Sequence, residues 1–126
     1  MNDMGTFRVT MSVENPARRG LLRALNDVLV DTGSELTWIP RPVLEDLGIA
    51  AERRYRFVMA TGAVVEREIG FGIVHLEGSA TADDVVFAET GDRVLLGARS
   101  LEGLNLQVDL VARRLIEAGP IAAAVA

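Results

Sequence analysis

Residues Leu29 to Pro40 read LVDTGSELTWIP, which sets an aspartate, Asp31, between the apolar run Val28-Leu29-Val30 and a Thr-Gly turn. A carboxylate carried there by an apolar strand stands at the edge of a hydrophobic core, where charge is costly unless neighbouring groups hold it. Gly33 lets backbone approach closely, and Thr32 brings a hydroxyl that can lock the turn. Taken alone, Asp31-Thr32-Gly33 suits a plain hairpin turn as well as a reactive one.

The chemistry open to the chain is narrow. It has 126 residues, enough for a single domain (1–126) with a real core. With 49% hydrophobic and 25% charged residues it has the balance of a folded globular protein rather than a disordered one. No cysteine is present, which removes disulfides, thiol catalysis and thiolate metal sites together. No lysine is present either, which excludes Schiff-base and Walker-type chemistry, and a single histidine, His75, leaves little for a Ser-His-Asp triad or a metal site. Carboxylates are the main resource left, and no cofactor or metal is expected.

The net charge of -5 and the dispersed arginines, with short clusters at Arg18-Arg19, Arg53-Arg54 and Arg113-Arg114, argue against a nucleic-acid partner. No charged-then-apolar leader opens the sequence, and no apolar run approaches the roughly 20 residues that span a bilayer. A cytoplasmic location without a membrane anchor is the expectation.

Period-two alternation from Thr6 to Val13 predicts a half-buried strand, ended by the turn signal Asn15-Pro16. Further strands are expected at Leu21 to Leu25 and at Val28 to Val30, the latter ending at Asp31. Pro42 to Leu47 has the composition of a short helix with Gly48 at its C-cap. Tyr55 to Met59 and Val64 to Ile69, separated by Ala60-Thr61-Gly62-Ala63, read as a β-hairpin. Strands follow at Gly72 to Leu76 and Asp84 to Ala88, then Val94-Leu95-Leu96 stops at Gly97. Leu101 to Leu104 is a single helical turn at most, and Leu106 to Leu110 with Arg113 to Ile116 resembles a closing hairpin. The tail from 117 to 126 is expected to be flexible, with Gly119-Pro120 breaking any strand.

In order and spacing these segments resemble the retropepsin-like aspartic proteases, single-domain and dimeric, over most of the chain from about Phe7 to Ile116. The elements that carry the resemblance are Asp31-Thr32-Gly33-Ser34, the later Leu95-Leu96-Gly97, the segment LEDLGI and the Gly-tipped hairpin. It implies an all-β acid-protease fold: a closed, barrel-like sheet with a flap hairpin and one short C-terminal helix, in a symmetric homodimer. Asp31 matches the catalytic aspartate, Thr32 the threonine that braces the two active-site turns, and Gly33 the glycine whose carbonyl faces substrate. Leu95, Leu96 and Gly97 match the apolar pair and glycine that pass beneath the catalytic turn. Ala60, Thr61 and Gly62 match the flap that closes over a peptide or protein substrate.

Aspartic proteolysis uses two carboxylates that share one proton. One chain carries one such motif, so the second carboxylate is expected from Asp31 of another copy across a two-fold axis. Such a dyad titrates as a unit, and activity is expected on the acidic side. Ser34 is expected to donate to the carboxylate and favour its charged form. An ion pair between Glu35 and Arg99 would replace one that the viral members make with an arginine one residue earlier.

Bland readings stand beside these. Asp109, in an apolar setting but with no Thr-Gly after it, reads as surface strand or turn. Trp38 reads as core, Met59 as packing under the flap, and His75 as a satisfied strand residue. A phosphoaspartyl motif would want a lysine and strand-helix alternation, and both are missing. A catalytically silent dimer gripping extended peptides by strand-like hydrogen bonds is the alternative outside enzymology.

Overall fold

A computed structural model describes residues 7–123 and is mostly β. Strand β1 (Arg8–Asn15) runs antiparallel to β2 (Arg18–Val30) across a turn at Pro16-Ala17, where the Asn15 side-chain carbonyl accepts the Ala17 N–H at 2.8 Å. The expected start of β1 at Thr6 lies outside the described residues. The two strands expected over 21–25 and 28–30 are one. Val9 faces Val28 while Met11 faces Leu25, so β2 carries an extra residue there, and Asp27 absorbs it at φ 58°. Such a bulge bends a strand without ending it, which the polar pair Asn26-Asp27 disguised as a break.

Strands β3 (Thr37–Pro40) and β4 (Arg53–Val58) flank α1 (Arg41–Asp46). Helix α1 ends as its composition predicts. Gly48 takes φ 75°, its N–H donates to Glu45 O at 2.9 Å, and Ile49 N–H donates to Leu44 O at 2.9 Å, the paired bonds of a left-handed helix stop. The expected strands 64–69 and 72–76 also merge, into the thirteen-residue β5 (Val64–Leu76). Gly70, Phe71 and Gly72 keep their ladder with Val85, Asp84 and Asp83 of β6 (Ser79–Ala88), so the glycines thin the strand without interrupting it. Then come β7 (Leu95–Leu96), α2 (Ala98–Gly103), β8 (Leu106–Asp109) and β9 (Arg114–Glu117).

Seven strands form one sheet in the order β1-β2-β7-β3-β6-β5-β4, and a further pairing of β1 with β5 (Ser12 with His75, Val13 with Val74, Glu14 with Ile73) makes it ring-like. Beyond the ring, residues 64–68 of β5 pair only with β4, so the β4–β5 hairpin is an arm extending from it. Strands β8 and β9 pair separately as a two-stranded sheet. Asp109 closes their turn, its Oδ1 accepting the N–H groups of Val111 and Ala112 at 3.1 Å. The start of the tail is tied back: Ala118 N–H donates to Asn105 O, and Asn105 Nδ2 to Gly119 O, both at 2.9 Å.

The period of two sorts the central strands into two cores. Val28 and Val30, Ile39, Val85 and Phe87 enter the larger cluster inside the ring, with Met11, Val13, Leu44, Val74 and Leu96. The residues between them, Leu29, Trp38, Val86 and Ala88, join Leu36, Ile69 and Leu95 in a second cluster on the other face. Each fully buried aliphatic or aromatic side chain contributes about 1.5–3 kcal/mol of burial, so both faces of β2-β7-β3-β6 are anchored. The second cluster, with Phe57, Met59 and Val65 against it, forms the base of the arm.

Candidate functional site

Asp31 sits one residue past the end of β2, and β7 fixes it there. Although two residues long, β7 runs parallel to β2 (Leu29 with Leu95, Val30 with Leu96) and antiparallel to β3 (Trp38 with Leu95). Leu29 N–H donates to Val94 O at 3.1 Å and Asp31 N–H to Leu96 O at 3.0 Å. From the other side Val30 N–H donates to Phe7 O at 2.9 Å. The Asp31 backbone is thus pinned to a buried strand while its side chain is half-buried. Its Oδ1 accepts the Gly33 N–H at 2.9 Å, and Ser34 N–H donates to the Asp31 carbonyl at 3.2 Å, which closes the turn.

The residues after Asp31 divide. Thr32 and Gly33 are exposed on the single chain, and the Thr32 hydroxyl has no hydrogen-bond partner among the described residues. Ser34 corrects an expectation: its hydroxyl donates to Leu36 O at 2.8 Å rather than to the Asp31 carboxylate, because the turn carries Ser34 past the carboxylate and over the following backbone.

Leu95 and Leu96 are buried beneath the turn, and Gly97 is where two backbones meet. A methyl group on Gly97 would overlap the Leu36 carbonyl oxygen and stand 2.6 Å from its carbon and 2.9 Å from Ser34 O. Residues 97–99 cross the loop after Asp31, with Ala98 N–H donating to Ser34 O at 2.8 Å and Arg99 N–H to Glu35 O at 3.0 Å. A buried relay locks the crossing. Gly97 N–H donates to Thr37 Oγ1 at 3.0 Å, Thr37 Oγ1 and Ser100 Oγ lie 2.7 Å apart, and Ser100 donates to Asp83 Oδ2 at 3.2 Å. Burial raises the Asp83 carboxyl above its usual range, and the bonds from Asp84 N–H and Ser100 oppose that only in part. The Glu35–Arg99 ion pair forms at 3.6 Å, with Arg99 also reaching Asp84 at 3.2 Å.

Between this turn and the arm runs a groove of about 1090 Å³. Leu29, Leu36, Trp38 and Leu95 form its apolar floor, with Asp31, Gly33 and Ser34 at one edge and Phe57 to Ala60 of the arm over it. Trp38 serves the core and the groove at once, and its ring meets Phe57 edge-on at 5.2 Å. Met59 is half-buried against the second core cluster and bonds across the arm's tip, its N–H to Ala63 O and its carbonyl from Gly62 N–H, each at 2.8 Å. Of the expected flap residues, Ala60 lines the groove, while Thr61 and Gly62 stand at the exposed tip outside the lining.

One wall of the groove is built by residues 91–93, which sequence reasoning left aside. Asp92 takes two bonds from Arg67 of β5, at 2.7 and 2.9 Å, and a third from Glu89 N–H at 2.7 Å. The Arg67 guanidinium therefore holds the Asp92 carboxyl below the usual carboxylate range. The local signal is slight: the turn Thr90-Gly91 gives no hint that Arg67 reaches it. Arg41 is similarly engaged, donating to Glu89, Glu68 and Glu45 with its guanidinium 4.8 Å from the Phe87 ring centre.

No protein-family model matches the chain, and no curated protein matches it either.

Two of the three carboxylates that line the groove face a cation, Glu35 with Arg99 and Asp92 with Arg67. Asp31 faces none among the described residues. No three His, Asp or Glu side chains converge in a metal-holding group among the described residues. His75 lies away from the groove lining, its Nε2 2.7 Å from Glu14 Oε1, as a satisfied strand residue. Among the described residues no helix is long and apolar enough to cross a membrane.

Proposed function

We propose that this chain is one half of an aspartic endopeptidase that hydrolyses extended peptides between two copies of Asp31, one from each subunit of a symmetric homodimer. The observation that carries the reading is the setting of Asp31, a carboxylate facing no cation among the described residues, pinned by Leu96 O and Gly33 N–H at the edge of an apolar groove under a hairpin arm. Glu35 and Asp92 face arginines, so among the described residues no groove carboxylate is left to pair with Asp31, and a second copy's Asp31 fills that role. The exposed Thr32-Gly33 surface beside Asp31 suits contact with a second copy, where each Thr32 hydroxyl would find the neighbouring turn.

The chemistry follows from two carboxylates sharing one proton. The ionised one takes a proton from water as its oxygen bonds to the scissile carbonyl carbon, and the protonated one gives its proton to the carbonyl oxygen. The tetrahedral intermediate collapses as the amide nitrogen receives a proton and the C–N bond breaks. The apolar floor around Leu29, Leu36 and Leu95 excludes water from the side chains on either side of the cut, and the arm holds the peptide extended by strand-like hydrogen bonds.

The test is cleavage of a diverse peptide library from acidic to neutral pH by the wild type and by Asp31→Asn, at concentrations where sedimentation shows dimers. Cuts by the wild type that fall about 10²–10⁴-fold in the variant are expected. A wild-type dimer that binds peptides without cutting them would replace the protease with a peptide-binding module, and equal cutting by Asp31→Asn would move the chemistry elsewhere.

A further inference from the structure

The whole chain is acidic, with a net charge of -5, yet the groove lining holds as many arginines as carboxylates, three of each. Arg8, Arg93 and Arg113 line it, while Glu35 and Asp92 are drawn away to Arg99 and Arg67. Arg93 is exposed and has no carboxylate partner among the described residues. Arg8 spends one N–H on the Asp27 carbonyl at 3.2 Å and has no carboxylate partner among the described residues either. The two arginines flank the same floor residue. Arg8 pairs with Leu29 across the β1–β2 ladder, and Arg93 precedes Val94, whose carbonyl accepts the Leu29 N–H from the opposite side.

We infer that Arg8 and Arg93 form a cationic subsite on either side of Leu29, and that the groove selects extended peptides carrying an acidic side chain about two residues from the scissile bond. The inference rests on the proteolytic reading for the scissile bond, though not for the subsite. The spacing follows from the strand: Leu29 lies two residues before Asp31, roughly 6.6 Å along β2, and an extended peptide covers that distance in about two residues. A carboxylate there would meet guanidinium groups over an apolar, partly shielded floor. Such charge-assisted bonds are stronger than those between neutral groups. A neutral side chain would forgo those bonds and a basic one would add a like charge beside the arginines, so the same placement discriminates against lysine and arginine there.

The experiment uses the full-length protein and peptide pairs built on a cleaved library sequence, with Glu, Gln or Lys placed two residues to either side of the cut. Expected is a kcat/KM for the Glu peptide about tenfold above that for Gln, with Lys lower still. The Glu/Gln ratio should shrink in high salt, and also below pH of about 4.3, where the peptide's own glutamate protonates. Arg93→Gln should bring the ratio towards one, and Arg93→Glu should turn the preference to Lys. Equal kcat/KM for Glu, Gln and Lys in the wild type would overturn the subsite and leave proteolysis standing. If the wild type cuts nothing, binding of the same labelled peptides decides: a Glu preference lost in Arg93→Gln upholds the subsite without the protease, and indifference to charge ends both.

Discussion

Replacing Thr37 by valine keeps shape and β-propensity and removes one hydroxyl from the relay that holds residues 97–99 across the loop after Asp31. Thr37 and Ser100 are fully buried, so no water replaces what is lost. Gly97 N–H loses its acceptor at 3.0 Å, and the 2.7 Å contact with Ser100 disappears, while Ser100 keeps Asp83 at 3.2 Å. An orphaned buried amide costs about 1–3 kcal/mol and the lost hydroxyl pair about 0.5–1.5 kcal/mol, against roughly 0.8 kcal/mol returned by the extra buried methyl. A net loss of about 1–3 kcal/mol is expected, or roughly 3–12 °C in Tm for a domain of this size. Urea unfolding at a fixed protein concentration measures it, since association would shift the midpoint. In a double-mutant cycle, Ser100→Ala combined with Thr37→Val should cost less than the sum of the two, by about 0.5 kcal/mol or more. A Thr37→Val loss within about 0.5 kcal/mol of zero, or strict additivity in the cycle, would refute the relay as a support of the turn.

Two further outcomes follow from the same geometry. Glu14 is held at a pKa of about 2, against 4.5 for the free side chain, by the Gly20 N–H and then by His75 and Arg19, so its stabilisation is complete above pH 4.5 and fades as pH falls towards 2. Glu14→Gln should flatten that stretch of the stability–pH curve, measured by denaturant midpoints across it, and an unchanged slope would show that Glu14 is not the group responsible. Gly97→Ala should unfold at lower denaturant by at least about 1–3 kcal/mol, because the methyl meets carbonyl backbone that has no rotamer to change; wild-type stability would mean that the crossing is looser than its contacts indicate.

The parts legible in the sequence are those set by neighbours along the chain. Asp31-Thr32-Gly33 after Val28-Leu29-Val30, the Gly48 helix stop and the Gly62 hairpin tip each depend on a few consecutive residues. The parts that were hidden depend on register between distant strands. The bulge at Asp27 exists because β1 pairs with β2 on both sides of it, and nothing local distinguishes it from a turn. Arg67 and Asp92 are unremarkable surface types until the β4–β5 arm brings one over the other. Ser34 was misread for the same reason: its sequence position beside Asp31 says nothing about where its hydroxyl ends up, which the path of residues 34–37 decides.

The two-residue strand β7 also bears on when the site comes into being. The Asp31 amide is fastened to Leu96 O, and the crossing at Gly97 fixes the loop that follows. Neither contact exists until residues 94–99 have been made and have docked against residues 29–37. Pairings between such distant segments form slowly, because the intervening chain has to be closed into a loop first. A chain still emerging from the ribosome would thus carry its aspartate early but without a fixed carboxylate. The setting of Asp31 is therefore a late product of folding, although the residues that make its turn are neighbours in the sequence.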